Sequence, residues 1–217
     1  MRPTALSVRR LLSISVFAAV CAPLPAVATE ATEAADQALS GEWLSDCQPI
    51  GRDGRHGLLT RVALGPGSVQ ARATLYADPA CTKPSAEARY EGALLEVRAE
   101  GDGRHAFEHR VTTISLTLTD TQVAAQYNAR PDTVGCGLSD WQPGIARDIS
   151  GRHCTAFRFA ATGTVLHERA WLSGEPGKEQ LHFGSLPLAW DADSAEKRAE
   201  TPSPVAFRRA RAAADAQ

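Results

Sequence analysis

The sequence predicts an all-β domain, built as an antiparallel barrel or sandwich and held by two disulfides. Segment 69–77 alternates apolar with larger or polar residues, which is the period of two expected of a strand with one buried face. Turn signals containing glycine and proline recur between short apolar segments, a pattern that favours many short strands. Four cysteines follow an N-terminal export signal, and an even cysteine count in an exported chain is typical of disulfides.

The first 28 residues have the three parts of an export signal. Arg2, Arg9 and Arg10 give it a positive start, and Leu11–Val20 is a short apolar segment. Ala26–Ala28 then supplies the small-residue pattern that signal peptidase recognises. The apolar segment is shorter than the roughly 20 residues of a membrane-spanning helix. We therefore expect cleavage near residue 28 and a secreted or periplasmic mature protein that does not span the membrane.

The mature chain is mildly acidic. Without the signal it keeps 20 basic and 25 acidic residues, a net charge of −5 with histidine neutral. A surface that neutralises the phosphates of nucleic acid needs a concentration of basic residues. The charge balance therefore predicts no nucleic-acid partner.

Four cysteines remain after cleavage, and we expect them to form two disulfides: Cys47, Cys81, Cys136 and Cys154. Three pairings are possible. Pairing neighbours along the chain would close loops of 34 and 18 residues. No pair has the two-residue spacing of a zinc knuckle, and an exported compartment favours oxidation, so disulfides are preferred to a thiolate metal site.

The domain is expected to span residues 40–207, after a flexible leader at 29–39. Strands are predicted at 58–64, 69–77, 88–98, 106–113, 114–118, 121–127, 157–159, 164–172, 179–183 and 205–207. Turns are predicted at 65–67, 101–103, 120–121, 163 and 174–177, where glycine, proline or aspartate occurs. Residues 191–204 are expected to form a surface loop and residues 208–217 a disordered tail. No amphipathic helix is predicted within the domain.

The sequence gives no sign of a catalytic or metal site. Nucleophile elbows, phosphate loops, dinucleotide fingerprints and paired zinc-binding histidines are all missing from the sequence. The six histidines are scattered, and His105 and His109 would lie about 13 Å apart on a strand, too far to chelate one metal. We therefore predict a protein that is not an enzyme and uses no cofactor or metal.

Aromatic residues in or beside the predicted strands are the candidate ligand contacts. In a packed sandwich they would be core, whereas in a cup-shaped barrel some would line an apolar lumen. Phe157 and Phe159 flank Arg158, so both rings should lie on one face of a strand. Arg158 is a candidate partner for a carboxylate head group if it points inward, and an ordinary surface charge if it points outward. The candidate lumen residues are Tyr76, Tyr90, Phe157, Arg158, Phe159 and Trp171.

Several local strings resemble one known family. They are GEWLSDC at 41–47, YADPACTKP at 76–84, LHFG at 181–184 and EKR at 196–198. In order and spacing they are similar to the extracellular domain of the adenomatosis polyposis coli down-regulated (APCDD) family of Wnt inhibitors, over residues 40–207. The spacing from Trp43 to Cys47 is one residue shorter than in that family, and there is one such domain where the animal proteins carry two. The resemblance implies a lipocalin-like, open β-barrel or clamshell that holds a lipid, with Cys81 joined to Cys47.

These observations lead to one favoured function and two alternatives. The favoured function is an exported protein that holds a lipid, fatty acyl group or other small hydrophobic ligand in a barrel cup. The first alternative is a protein-interaction or inhibitor domain of the cell envelope, with a filled core and a functional outer surface. The second is a hydrolase whose site the sequence does not reveal.

Overall fold

The computed structural model describes residues 37–154 and 157–210, and the predicted signal, most of the leader and residues 211–217 lie outside them. The described strands are β1 (Gly41–Ser45), β2 (Gln48–Ile50), β3 (His56–Gly65), β4 (Ser68–Tyr76), β5 (Pro84–Gly101), β6 (Arg104–Leu118), β7 (Ala146–Asp148), β8 (His153–Cys154), β9 (Phe157–Arg158), β10 (Val165–Ser173), β11 (Gln180–Phe183) and β12 (Ala206–Arg209). The other described elements are the α-helix α1 (Thr121–Ala129) and two short 3₁₀ turns, Arg52–Gly54 and Ala195–Lys197, and residues 37–39 are also helical.

Eight strands close into an antiparallel barrel. Going around the ring, the order is β1, β3, β4, β5, β6, β10, β11 and β12, and β12 pairs with β1. Strand β2 extends the sheet beside β3, β7 pairs with the second half of β6, and β8 and β9 form a separate two-stranded sheet. The predicted all-β antiparallel barrel is confirmed, and it is a closed ring rather than a clamshell. Closure leaves none of the eight strands at an open edge along its whole length.

The two ends of the barrel differ in their connections. At one end, which we call the turn end, short turns join β3 to β4, β5 to β6 and β10 to β11. At the other, the loop end, the chain makes its long connections at 77–83, 119–164 and 184–205. Both disulfides, Cys47–Cys81 and Cys136–Cys154, lie in segments of the loop end. The prediction of two disulfides is confirmed, with neighbours along the chain as partners.

Alternation along the strands fills the barrel with apolar side chains. On β4, Val69, Ala71 and Ala73 are buried whereas Gln70 and Arg72 are exposed, as the period of two predicts. The centre of the barrel holds an aromatic core, which consists of Tyr90, Phe107, His109, Phe183, Trp190 and Phe207. Each of these side chains is at most 1% exposed. Burial of one large apolar side chain contributes about 1.5–3 kcal/mol, so this cluster stabilises the fold strongly.

Trp190 is the member of the aromatic core that comes from a loop instead of a strand. Its ring packs edge-on against Tyr90, Phe107, His109 and Phe183, with centroid distances from 4.8 to 6.1 Å. Beside it, the amide of His167 donates to the carbonyl of Ala192, so the loop runs along the part of β10 that β11 does not cover. The loop therefore both fills the barrel and shields a strand edge.

Two predicted elements differ from the structure. Residues 121–127 were expected to form a strand but lie in α1, because the Asp120 carboxylate caps the helix by accepting hydrogen bonds from the amides of Gln122 and Val123. Arg208 and Arg209, assigned to a disordered tail, belong to β12. The Arg209 guanidinium donates to the carbonyls of Ala38 and Ser40, so it ties the end of the leader to the barrel.

Candidate functional site

An apolar pocket opens at the loop end of the barrel. Its volume is about 170 Å³. It is lined almost entirely by apolar side chains: Ile50, Leu58, Ala73, Leu75, Ala88, Leu116, Tyr127, Cys154, Phe157, Phe159, Leu186, Pro187, Leu188 and Ala189. The Tyr127 hydroxyl is the one polar side-chain group among these lining residues, and burial raises the pKa of that phenol above its usual value. The pocket is therefore suited to hydrophobic contact and lacks an acid or base near neutral pH.

The space exists because small side chains face each other across two strands. Ala73 on β4 and Ala88 on β5 are cross-strand partners, and Ala88 is also the partner of Leu116 on β6. Directly opposite residues on one face of a sheet have Cβ atoms about 4.5–5.5 Å apart, so two alanines leave a gap that larger side chains would fill. Leu58 and Leu75 surround this gap on neighbouring strands. The floor of the pocket is thus set by strand register.

The rim of the pocket is the β8–β9 hairpin. Cys154 on β8 is the cross-strand partner of Phe157 on β9, and the disulfide to Cys136 ties the hairpin to the segment after α1. Phe157 is 55% exposed, whereas Phe159 is partly buried against the core. The exposed ring of Phe157 extends the apolar surface of the pocket toward solvent. It offers hydrophobic contact to a molecule that enters the pocket.

The segment before Trp190 forms the remaining wall and carries backbone strain. Leu188, which lines the pocket, has a φ of 83°, in a region that residues other than glycine seldom adopt. Such a conformation costs about 1–3 kcal/mol and persists only where surrounding contacts hold it. The buried Trp190 two residues later provides such contacts. Strain of this kind clusters at ligand sites, which agrees with a functional role for this wall.

A second cavity, the charged groove, lies beside the apolar pocket. Its volume is about 380 Å³, and its lining residues are Gly151, Arg158, Phe159, Ala160, Ala161, Thr164, Leu166, Asp191, Asp193 and Lys197. Phe159 lines both cavities. Within the groove, the Lys197 ammonium lies 2.6 Å from the Asp193 carboxylate. This contact lowers the pKa of Asp193 and raises that of Lys197, so both groups stay charged.

Buried polar groups also lie inside the barrel. The Tyr90 hydroxyl and the Nδ1 atom of His109 form a hydrogen bond, and burial lowers the pKa of His109 to about 3. Glu168 is 2% exposed, and burial, reinforced by the negative charge of Asp191, raises its pKa to about 8. His109 is consequently neutral and Glu168 largely protonated at pH 7. Because both are enclosed, they set the pH dependence of stability rather than reach a ligand in the apolar pocket.

The predicted site residues fall in different parts of the barrel. Phe157 and Phe159 line the apolar pocket together, and Arg158 between them lines the charged groove. Tyr90 is in the aromatic core, while Tyr76 is half-buried at the end of β4 and is not among the residues that line the apolar pocket. Trp171 lies on the outer face of β10, because the buried face carries residues 166, 168 and 170. Trp171 is accordingly not among the residues that line the apolar pocket.

Most residues that line the apolar pocket were not predicted from the sequence. The aliphatic side chains of Ile50, Leu58, Leu75 and Leu116 belong to strands whose partners were unknown, so their meeting at one pocket was not predictable. The segment Leu186–Trp190 offered a signal that was overlooked. It is an almost wholly apolar run between strands, where a surface loop would be polar.

No protein-family model and no curated protein sequence matches this chain. The resemblance to the APCDD family therefore stays a prediction. In the described part of the chain, no three histidine, cysteine, aspartate or glutamate side chains are placed to hold a metal ion. Nor is any described helix both long and apolar enough to cross a membrane.

Proposed function

We propose that this chain is an exported protein that binds a small hydrophobic ligand, or the hydrophobic end of a lipid, in the apolar pocket. The observation that carries the proposal is an apolar cavity at the loop end with an exposed phenylalanine, Phe157, at its rim. Ligand pockets occur preferentially at the mouths of β-barrels and are lined mainly by apolar side chains. Two disulfides in one domain are typical of exported proteins, which supports the predicted secreted or periplasmic location.

The volume of the pocket limits what it holds. At about 170 Å³, it is close to the roughly 150 Å³ cavity that binds benzene in an engineered protein. It is smaller than the roughly 300–1,000 Å³ of pockets that enclose a drug-sized molecule. A ring or a few methylene groups fit, and each buried methylene contributes about 0.8 kcal/mol. The proposed ligand therefore inserts only one end into the apolar pocket, because the aromatic core fills the rest of the barrel interior.

The exposed side chain of Phe157 also favours a second candidate, a protein-interaction domain. The barrel interior is filled, as that alternative requires, and Ile145, 53% exposed, also lies in the loop-end connections. An apolar side chain of a partner protein could occupy the pocket in place of a lipid. The two candidates share the site and differ in the molecule that brings the apolar group.

A binding experiment with matched variants tests the proposal. Delipidated mature protein should bind a fluorescent fatty acid, and Phe157→Ala should weaken binding by about three- to tenfold through lost apolar contact. Leu95→Ala is the control, because Leu95 is also exposed, at 44%, but does not line the pocket. Equal affinities for wild type and both variants would overturn the pocket as the site. An absence of binding to any apolar probe would overturn the proposal and favour the protein-interaction candidate.

A further inference from the structure

One short strand divides the two cavities at the loop end. Phe157 on β9 and Phe159 directly after it line the apolar pocket, whereas Arg158 between them lines the charged groove. Successive side chains of a strand point to opposite faces, so this arrangement follows from the backbone. Because Phe159 lines both cavities, the pocket and the groove meet at its ring. The two cavities are therefore adjacent, and a ligand that extends past this ring would reach both.

The charged groove has two positive and two negative side chains. Lys197 and Asp193 neutralise each other in a direct ion pair of 2.6 Å. Arg158 and Asp191 form no direct ion pair within the described ranges, and both are exposed. Their charges still act on that pair, because Arg158 helps to lower the pKa of Asp193 and Asp191 helps to raise the pKa of Lys197. They are accordingly the two charges of the groove that are available to a ligand, one of each sign.

The backbone holds these two charges in defined places. Asp191 is followed by Ala192, whose carbonyl accepts a hydrogen bond from the amide of His167 on β10, and the amide of Asp193 donates to the carbonyl of Asp191. Arg158 is the cross-strand partner of His153 in the β8–β9 hairpin. Both charges thus stand on segments fixed by hydrogen bonds, a condition for selective recognition.

We propose that the ligand is an amphiphile with a zwitterionic head group, whose apolar end enters the apolar pocket and whose head lies in the charged groove. The anionic part of the head, a phosphate or carboxylate, contacts the Arg158 guanidinium, which binds such groups through two parallel hydrogen bonds. The cationic part, an ammonium, faces the Asp191 carboxylate. This inference rests on the binding function proposed above and names the class of ligand.

The balance of charge selects a zwitterion over a singly charged head. An anionic head would gain from Arg158 but meet the carboxylates of Asp191 and Asp193. A cationic head would gain from Asp191 but meet Arg158 and Lys197. Like charges placed together disfavour a wrong ligand, so a head carrying both signs is the match for a groove with no net charge.

Four amphiphiles with the same tail and different heads test this inference by calorimetry on the full mature chain. They are octylphosphocholine, octyl sulfate, octyltrimethylammonium and octyl glucoside, each used below its micelle concentration. We expect octylphosphocholine to bind about fivefold or more tightly than octyl glucoside, since each exposed charge contact contributes modestly. Glycerophosphocholine, which has the head without the tail, should bind much more weakly than octylphosphocholine.

Two variants test which part of the head group each charged side chain contacts. Arg158→Gln should lower the affinity for octylphosphocholine about fivefold and shift the preference toward octyltrimethylammonium, whereas Asp191→Asn should shift it toward octyl sulfate. Neither should change the affinity for octyl glucoside. Arg104→Gln is the control, because Arg104 is exposed at the start of β6 and outside the groove.

The outcomes separate this inference from the function on which it rests. If none of the four octyl compounds binds, the proposed function fails and this inference fails with it. If octyl glucoside binds as tightly as octylphosphocholine, the apolar pocket is retained as the binding site and the zwitterionic head group is overturned. If octylphosphocholine is preferred but Arg158→Gln and Asp191→Asn leave that preference intact, the assignment to the charged groove is overturned.

Discussion

The aromatic core and the apolar pocket are both built from apolar side chains, but they differ in what covers those side chains. Phe183 and Phe207 in the core are fully buried, whereas Phe157 at the rim of the pocket is 55% exposed. The core receives Trp190 from the long loop, while the pocket has only paired alanines at its floor. Apolar side chains thus stabilise the fold in the aromatic core, whereas in the apolar pocket they leave a cavity that a ligand can fill. Stability and binding should therefore respond to different substitutions.

The largest expected effect is on stability, from Trp190→Ala. Removing a fully buried indole that contacts four other rings should lower the free energy of unfolding by about 3–5 kcal/mol. Urea denaturation followed by circular dichroism measures the change. Phe183→Leu, which keeps much of the buried volume, should cost less. A loss below about 1 kcal/mol for Trp190→Ala would show that the loop does not fill the barrel.

The two disulfides differ in their relation to the apolar pocket, because only Cys136–Cys154 includes a residue that lines it. Replacing both Cys47 and Cys81 by serine opens a 34-residue loop and should lower stability by about 4 kcal/mol. Replacing both Cys136 and Cys154 opens an 18-residue loop and should cost about 3 kcal/mol. Cys154 lines the apolar pocket, so only the second pair of substitutions should also weaken ligand binding strongly. Denaturation and a fluorescent fatty acid titration on both variants check this expectation.

Because of two buried polar groups in the barrel, we expect the stability of the protein to be highest over a broad middle range of pH and to fall on either side. Glu168 has its pKa raised to about 8 by burial, so the folded state holds a proton that the unfolded state releases, and stability falls as pH rises toward 8. His109 has its pKa lowered to about 3 by burial, so its contribution to stability is lost as pH falls below its usual value of 6.5. Between pH 4.5 and pH 6.5, the usual pKa values of the two groups, the effect of Glu168 lowers stability with rising pH while that of His109 raises it, so the two effects oppose each other.

Denaturation at a series of pH values measures this profile. A single group contributes at most about 1.4 kcal/mol for each pH unit. Glu168→Gln should remove the loss of stability between pH 6.5 and 8, whereas Glu175→Gln, at an exposed position in the β10–β11 turn, should keep it. An alkaline slope that survives in Glu168→Gln would contradict the assignment.

The smallest expected effect on stability is that of Phe157→Ala. An exposed side chain away from caps and buried networks usually changes the free energy of unfolding by less than about 0.5 kcal/mol. Together with the reduced ligand affinity expected for this variant, a small stability change would separate the two regions cleanly. Loss of more than about 1 kcal/mol would mean that Phe157 acts as part of the core.

The parts of the fold that depend on local pattern were predictable, and those that depend on pairing were not. The alternation at 69–77 and the Gly101-Asp102-Gly103 turn predicted β4 and the β5–β6 hairpin correctly. The helix after Asp120 was missed, although an aspartate at the N-cap before a segment that contains alanines and glutamines is a recognisable helix start. The face of β10 on which Trp171 lies was not predictable, because a shift of one residue exchanges the two faces of a strand.

The candidate site was only partly predictable for the same reason. Phe157, Arg158 and Phe159 were identified because their roles follow from alternation within three residues. The floor of the pocket was not, since the pairing of Ala73 with Ala88 depends on a register that one sequence does not specify. Trp190 was missed because a loop has no periodicity from which burial could be read.

Whether the apolar pocket is the ligand site is tested most directly by a crystal structure of the mature protein with 8-bromo-1-octanol. The anomalous signal of bromine locates the end of the bound alkyl chain. If the apolar pocket is the ligand site, one dominant bromine peak should lie in it, among Leu75, Leu116 and Phe159, with the aromatic core unchanged. A dominant peak elsewhere, or no peak at saturating concentration, would contradict the claim that this pocket is the ligand site.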